Sequence, residues 1–279
     1  MPVSSEYKVI RRRSYFPWVL AVLAAALTVG FLWLLISNPA LDWNQTLNYL
    51  FAPQIIRGVW TTIQLSVLSM LLGVVLGVGI GLGRMSHNKV LRTLSAIYVT
   101  VFRGVPVLLQ LLIWGNIGLI VRNISLGIPF TDISFFSVPT NEVVGPFTAA
   151  IVGLALAEAA YIAEVVRAGV LSVDRGQLEA ASALGMTPGR TTRRIMLPQA
   201  LRLIIPPMGN QFVTLIKATS LVSVIAGGDL LTQVQNIAAT SYRVIEMLAV
   251  AAFWYLILVS VATVGQYFLE RAVSKGIRA

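Results

Sequence analysis

Residues 58–83 read GVWTTIQLSVLSMLLGVVLGVGIGLG, 26 consecutive positions without a charged side chain. A helix rises about 1.5 Å per residue, so roughly 20 apolar residues cross the ~30 Å hydrocarbon core of a bilayer. This stretch is therefore read as a membrane-spanning helix. Three further uncharged runs have the same character: Pro17 to Ile36, Gly104 to Val121 and Met247 to Leu269. Two more carry a few charges. Val143 to Leu171 contains Glu158, Glu164 and Arg167, and Leu203 to Ala226 contains Lys217. The pattern predicts an all-α integral membrane protein with about six transmembrane helices.

The composition points the same way. Of 279 residues, 57% are hydrophobic and 11% charged, with a mean hydropathy of +0.81. Ordinary globular chains run at roughly 45–50% apolar and about 25% charged. Too few solvated groups remain to cover a water-facing surface, which excludes a soluble enzyme, a disordered chain and a coiled coil. With no cysteine and one histidine, His87, the chain lacks the ligands for disulfides, thiolate metal sites or zinc chemistry. No catalytic and no metal-binding residue is assigned. His87 lies in a basic turn and reads as solvated.

The net charge of +10 follows from its placement. No basic stripe is interleaved with aromatics, so nucleic acid is not a partner. Lys8, Arg11, Arg12 and Arg13 form one group; Arg84, Lys89 and Arg92 a second. Arg175, Arg190, Arg193, Arg194 and Arg202 form a third, and Arg271, Lys275 and Arg278 a fourth. The alternate loops hold only Arg57, Arg122 and Arg243. Positively charged loops stay inside, so both termini are expected in the cytoplasm. The first run is preceded by basic residues, as a signal peptide is. Its length and the Ile-Ser-Asn-Pro-Ala stretch at 36–40 argue for a retained helix.

Two loops remain. Residues 122–146 are rich in turn formers (Asn123, Gly127, Pro129, Pro139, Gly145, Pro146) and read as an irregular outward segment with room for a short strand. Residues 172–202 form the longest cytoplasmic loop. There Asp174 is a good N-cap with Gln177 three residues on. Leu178 to Leu184 are mostly strong helix formers, Gly185 stands where a left-handed C-cap belongs, and Pro188 stops continuation. A short surface helix over about 175–184 follows. Its face is built from Ala180, Ala181 and Leu184 beside Gly185, with Glu179 as the orienting charge. Small side chains permit close approach of a soluble partner. An amphipathic connector lying on lipid headgroups fits the same residues equally well.

Glu179-Ala180-Ala181, three residues, Gly185, nine residues, Ile195, one residue and Leu197-Pro198 complete a spacing known from transport proteins. It resembles in full the EAA-x3-G-x9-I-x-LP signature of ABC importer permeases. The chain is similar to the polar amino acid (His/Glu/Gln/Arg/opine) uptake group in particular. Further support lies in Gly58-Val-Trp-Thr-Thr-Ile-Gln-Leu-Ser66, Phe102-Arg-Gly-Val-Pro-Val-Leu-Leu-Gln110, Ala160-Tyr-Ile-Ala-Glu-Val-Val-Arg-Ala-Gly169 and Lys217-Ala-Thr-Ser-Leu221. Val105 replaces the group's usual Thr, and Ala218 stands where Asp or Asn is common. These departures bear on the substrate, not on the class.

The resemblance implies a five-helix type I importer core plus one extra N-terminal helix. Residues 1–54 would hold the cytoplasmic N-terminus, the extra helix and an outward loop; 55–270 the transmembrane domain with its coupling loop 172–202; 271–279 a cytoplasmic tail. It implies a multi-pass protein of the bacterial cytoplasmic (inner) membrane that is itself no enzyme. A cytoplasmic ABC ATP-binding subunit, a second permease subunit (the same chain or a sister) and an extracytoplasmic solute-binding protein would be its partners, besides the lipid bilayer. The chain has no Gly-x-x-x-x-Gly-Lys-[Ser/Thr] loop, so ATP and Mg would act through the ATPase and no cofactor would bind here. Glu179, Ala180, Ala181, Leu184, Gly185, Ile195, Leu197 and Pro198 would couple the two. A polar amino acid would be translocated by alternating access.

Charges inside spans are candidates for the translocation path or gate. Glu164 and Arg167 share a helical face with Tyr161 and can pair. Glu158 lies about 120° around that helix from Glu164 and needs another partner. Arg103 precedes a break at Gly104 and Pro106 that frees backbone carbonyls. Lys217 is followed by Thr219 and Ser220, hydroxyls suited to a polar cavity. All of these also fit a purely structural role. Glycines 73, 77, 81 and 79, 83, spaced by four, read as close helix packing. The tryptophans read as interfacial or packing residues. The competing function is an ion-coupled secondary transporter of small polar solutes, which predicts internal repeats that the sequence lacks.

Overall fold

The computed structural model describes residues 15–39, 41–127 and 134–274. The basic residues Lys8, Arg11, Arg12, Arg13, Lys275 and Arg278, and Pro129 of the long loop, lie outside the described residues. The frame consists of α3 (Pro53–Arg84), α8 (Pro146–Leu171) and α13 (Val244–Ser274). These three are long and apolar enough to cross a membrane, and two bent helix pairs raise the number to five if each pair is one span. Before them come α1 (Phe16–Ile36), whose described side chains are exposed along its length, and the short α2 (Trp43–Leu50).

Small residues decide how α3 meets α8. A Cβ placed on Gly77 would lie 2.7 Å from the Ile162 Cβ and 2.8 Å from the Ala159 carbonyl oxygen; on Gly81 it would lie 2.9 Å from the Ala163 oxygen. Gly73 meets Glu158 in the same way, at 3.0 Å. The helices touch backbone to backbone, which lets dispersion hold two apolar surfaces together where lipid offers no hydrophobic drive. The five glycines do not share this job. Gly83 faces Ser95, and Gly79 has open space around it.

The break after Arg103 is sharp. Helix α4 (Lys89–Gly104) and helix α5 (Val107–Gly115) meet at 99°. Pro106 has no N–H to continue the ladder and pushes Val105 into extended backbone. The expected span from Gly104 to Val121 is therefore not one helix: α5 turns away from α4, and the short α6 (Ile117–Ile120) follows. The side chain of Gln110 repairs the gap. Its Nε2 donates to the Phe102 and Val105 carbonyls at 2.9 and 2.8 Å, satisfying acceptors that the break would orphan.

Residues 122–146 are more regular than their turn formers suggest. Strand β1 (Asn123–Gly127) pairs antiparallel with β2 (Ser134–Pro139), Ile124 opposite Val138 and Ser125 opposite Ser137. The single-turn α7 (Thr140–Val143) leads into α8.

Beyond α8 lie α9 (Arg175–Ala183), α10 (Pro188–Thr191) and a π-helical turn over Thr192–Met196. Then α11 (Leu197–Ala218) carries Pro206 and Pro207 inside it and passes into a 3₁₀ stretch, Thr219–Ile225. Ala226 and Gly228 are left-handed, at φ 53° and 82°, and the chain restarts as α12 (Leu230–Ser241) after a 45° bend. Three buried clusters hold these parts. Ile55, Leu230 and Met247 belong to one, Leu65, Leu111 and Leu154 to the second, Ile162, Val166 and Ile204 to the third.

Candidate functional site

Two regions concentrate the polar chemistry. In the first, α8 presents Glu158, Tyr161, Glu164 and Arg167 within three turns. Glu164 pairs with Arg167, whose Nε donates to Oε2 at 2.9 Å, as the spacing predicts. It does not stop there. Arg84, at the end of α3, forms an ion pair with the same carboxylate, and Arg103 approaches it at 3.8 Å. Arg103 also lies over the Tyr161 ring, 5.4 Å from its centroid, a cation–π distance. One anion thus gathers three guanidinium groups from three elements.

Glu158 stands apart from that cluster. It is 5% exposed, and among the described residues only Gln211 of α11 hydrogen-bonds it, Nε2 donating to Oε2 at a long 3.5 Å. Its Oε1 is buried with no hydrogen-bond partner among the described residues. The carboxyl borders a cavity of about 220 Å³ lined also by Tyr161, Gln211 and Thr214 and by Leu154 and Leu215. The other candidates are placed differently. Lys217 is exposed, and the Thr219 and Ser220 hydroxyls turn back onto their own helix, donating to the Ile216 and Lys217 carbonyls at 2.6 and 2.7 Å. They do not line this cavity.

A polar cluster not expected from the sequence sits where α12 begins. Asp229 is fully buried, accepts from the Leu231 N–H at 3.0 Å and hydrogen-bonds the Thr232 hydroxyl. Thr62 Oγ1 accepts from the Leu230 N–H at 3.0 Å. Gly227-Gly228-Asp229 just after the apolar run was the available signal, a break followed by an N-cap.

The second region is the loop 172–202. Asp174 caps α9, its side chain accepting from the Gln177 N–H at 3.2 Å. The other end closes as a Schellman motif. The Gly185 N–H donates to the Ser182 carbonyl and the Met186 N–H to the Ala181 carbonyl, both at 3.0 Å, with Gly185 at φ 73°. Nine residues of helix would be marginal alone; capped at both ends, this one is fixed. Its small-residue face is divided. Glu179, Ala180 and Leu184 are exposed, Leu184 at 83%, while Ala181 is buried at 2%. Ala181 thus packs inward within the loop, and Leu184 and Ala180 remain on the surface.

The signature's second half has a local cause. Pro198 cannot donate a ladder hydrogen bond, and the turn before it widens, so that the Leu197 N–H bonds the Thr192 carbonyl five residues back. Ile195 lies within this wide turn and Leu197 closes it. Gln199 Nε2 reaches back to Gln177 Oε1 at 2.5 Å, joining the start of α11 to α9.

Comparison with known proteins shows which chains this one resembles. The family described as "Binding-protein-dependent transport system inner membrane component" matches residues 69–275. The arginine transport system permease protein ArgU of Corynebacterium glutamicum is 42% identical over 260 residues, 93% of this chain and 80% of that protein. A probable amino-acid ABC transporter permease protein, YckA of Bacillus subtilis, is 36% identical over 236 residues, 83% of this chain and 96% of that one. Among solved structures, that of an amino acid ABC transporter with histidines superposes with a TM-score of 0.71 at 33% identity, covering 83% of this chain and 99% of the other.

Proposed function

The chain belongs to the family of binding-protein-dependent transport system inner membrane components and is the permease component of an amino acid ABC importer; from that premise we propose that it moves a polar amino acid by alternating access, driven through α9. The ion-coupled alternative has no observation in its favour. In this reading α1, α3, the α4–α5 pair, α8, the α11–α12 pair and α13 are six spans with both termini in the cytoplasm. Residues 1–54, 55–270 and 271–279 are then the N-terminal addition, the importer core and a tail, in a bacterial inner membrane. ATP and Mg act in a separate cytoplasmic ATPase, a second permease subunit completes the path, and an extracytoplasmic binding protein delivers the solute. An arginine permease among the relatives supports a polar amino acid as cargo.

The observation that carries the proposal is the doubly capped α9. It presents Glu179, Ala180 and Leu184 outward, and Gln199 ties it to α11. A rigid knob seated in a groove of an ATPase transmits displacement where a frayed one would not. Gly185, Ile195, Leu197 and Pro198 hold the geometry, and Ala181 anchors the knob from beneath. Among the groups inside the spans, the Glu164 cluster with Arg103 and Arg167 serves as a brace or gate between α3, α4 and α8. Glu158 and Tyr161 border the path, and Lys217, Thr219 and Ser220 mark the hinge after α11.

Co-purification tests this. Glu179→Lys or Gly185→Asp should abolish recovery of the ATPase with the tagged permease while leaving the permease in the membrane. Unaltered assembly and uptake in both variants would refute the proposal.

A further inference from the structure

The Glu164 cluster holds more positive charge than it cancels. Arg84, Arg103 and Arg167 converge on one carboxylate, and none of the three pairs with another acid among the described residues. Two positive charges are left over. The neighbouring sequence deepens the excess: between Arg84 and Arg103 lie Lys89 and Arg92, both exposed, and no Asp or Glu. Beyond Glu164, α8 carries no further acid. Charges at the edge of hydrocarbon are costly and are normally paired.

The donors are in surplus as well. Three guanidinium groups offer about fifteen N–H donors, whereas a carboxylate accepts about four hydrogen bonds. Arg167 uses its Nε on Oε2. Arg103 stands 3.8 Å from Oε1, inside ion-pair range but too far for a hydrogen bond. One face of its fork rests on Tyr161, and its N–H groups have no acceptor among the described residues. The side chains of Arg103 and Arg167 are 45% and 36% exposed, that of Arg84 22%. An anion from outside the chain can therefore reach all three.

The depth of the cluster narrows what that anion is. Arg84 is the last residue of α3, and Glu164 lies about 10 Å before the end of α8. In the importer reading both ends are cytoplasmic. Long Arg side chains there reach the inner leaflet's headgroups by snorkelling, and basic pockets between helices on that side suit anionic lipid headgroups. A phosphate presents several oxygens to a planar guanidinium fork and takes two parallel hydrogen bonds from it. We propose that Arg103 and Arg167, with Arg84 behind them, form a binding site for a phosphate group, which an anionic phospholipid of the cytoplasmic leaflet supplies. The bound phosphate ties α4 to α8 beside Glu164, so that lipid composition sets how firmly this brace holds. The inference takes from the importer reading only the cytoplasmic placement of these helix ends.

The test uses the assembled permease–ATPase complex, delipidated in detergent. Radiolabelled phosphatidylglycerol is the probe, with phosphatidylcholine as competitor; labelled inorganic phosphate in lipid-free detergent forms a second arm. Wild type should hold phosphatidylglycerol roughly tenfold more tightly than phosphatidylcholine, because only the former brings a net negative charge. Arg103→Gln combined with Arg167→Gln should lose roughly tenfold in that affinity. Arg103→Lys, which keeps the charge but not the fork, should fall between. Glu164→Gln should bind the lipid more tightly than wild type, since the competing anion is gone. A cluster that only braces the helices predicts no such gain. Recovery of the ATPase with each variant checks its folding, and recovery with wild type keeps the importer reading standing whatever the lipid result. Inorganic phosphate binding as tightly as the lipid would uphold the phosphate site and assign its ligand to solution. Equal retention of the two lipids by wild type, undiminished retention in the double variant, or a loss in Glu164→Gln would each overturn the proposal.

Discussion

The Cβ that Gly77 lacks would stand 2.7 Å from the Cβ of Ile162, closer than two such carbons pack. The contact lies between the two helices that form the largest interface of the bundle, and it fixes how deeply α8 sits against α3. The side chains of Glu158 and Glu164 are aimed from that seat. Gly77→Val should therefore destabilise the protein by about 1–3 kcal/mol, the usual cost of overpacking a tight core. Gly79→Ala, with open space around it, should stay within about 0.5 kcal/mol of wild type. Thermal unfolding in detergent, followed by tryptophan fluorescence, compares the two.

The α4–α5 break depends on one amide. Gln110→Leu keeps the volume and removes both hydrogen bonds to the Phe102 and Val105 carbonyls. Both acceptors are half-buried, so leaving them unpaired costs toward the lower end of the about 1–3 kcal/mol of a fully buried group. We expect reduced thermal stability and a marked loss of uptake. Gln110→Glu should not rescue it, because a carboxylate cannot donate to a carbonyl.

The C-cap of α9 is equally specific. At φ 73° a Cβ costs about 1–2 kcal/mol, so Gly185→Ala should fray the last turn and raise amide exchange over residues 180–186. Asp174→Ala should cost about 0.5–2 kcal/mol at the other end. ATPase recovery should fall in both, more in the double variant.

One prediction concerns pH. The Gln45 N–H, aided by a hydrogen bond and charge from Arg243, holds the Asp42 carboxyl below its ordinary value of 3.8. A carboxyl depressed in the folded state contributes stability above its unfolded pKa and loses it as pH falls through the lower folded value. The attachment of α2 to α13, which also uses the Asp42 N–H to Glu246 contact at 3.3 Å, should loosen below pH 3.8. Amide exchange over residues 43–50 should rise there in wild type. Asp42→Asn should show raised exchange at neutral pH and little further change on acidification.

Much of this was legible in the chain. Uncharged runs longer than a bilayer marked α3 and α13, and Asp174 and Gly185 delimited α9 to within a residue. Glu164 and Arg167 paired as their spacing required. What the sequence could not supply was set by distant neighbours. Arg84 and Arg103 reach Glu164 from 80 and 61 positions away, a convergence made by packing. Gly79 has the same four-residue spacing to Gly83 that Gly77 has to Gly73 and Gly81, yet only an orientation decided by α8 tells them apart. Pro106 announced a break, but not that residues 89–104, which no long uncharged run marked, would form its other arm. Asp229 hid as a single acid in apolar surroundings. Ala181 looked like its neighbour Ala180, and its burial follows from the fold of the loop.

The central claim is that α9 carries the force of a separate ATPase into the membrane helices. ATP-dependent uptake of labelled arginine by liposomes holding the assembled importer and its binding protein tests it most directly, with Glu179→Lys against wild type. Concentrative uptake in wild type, and background uptake in Glu179→Lys with the permease still correctly inserted, is the predicted result. Undiminished uptake by the variant, or accumulation by the permease alone without any ATPase, would contradict the account.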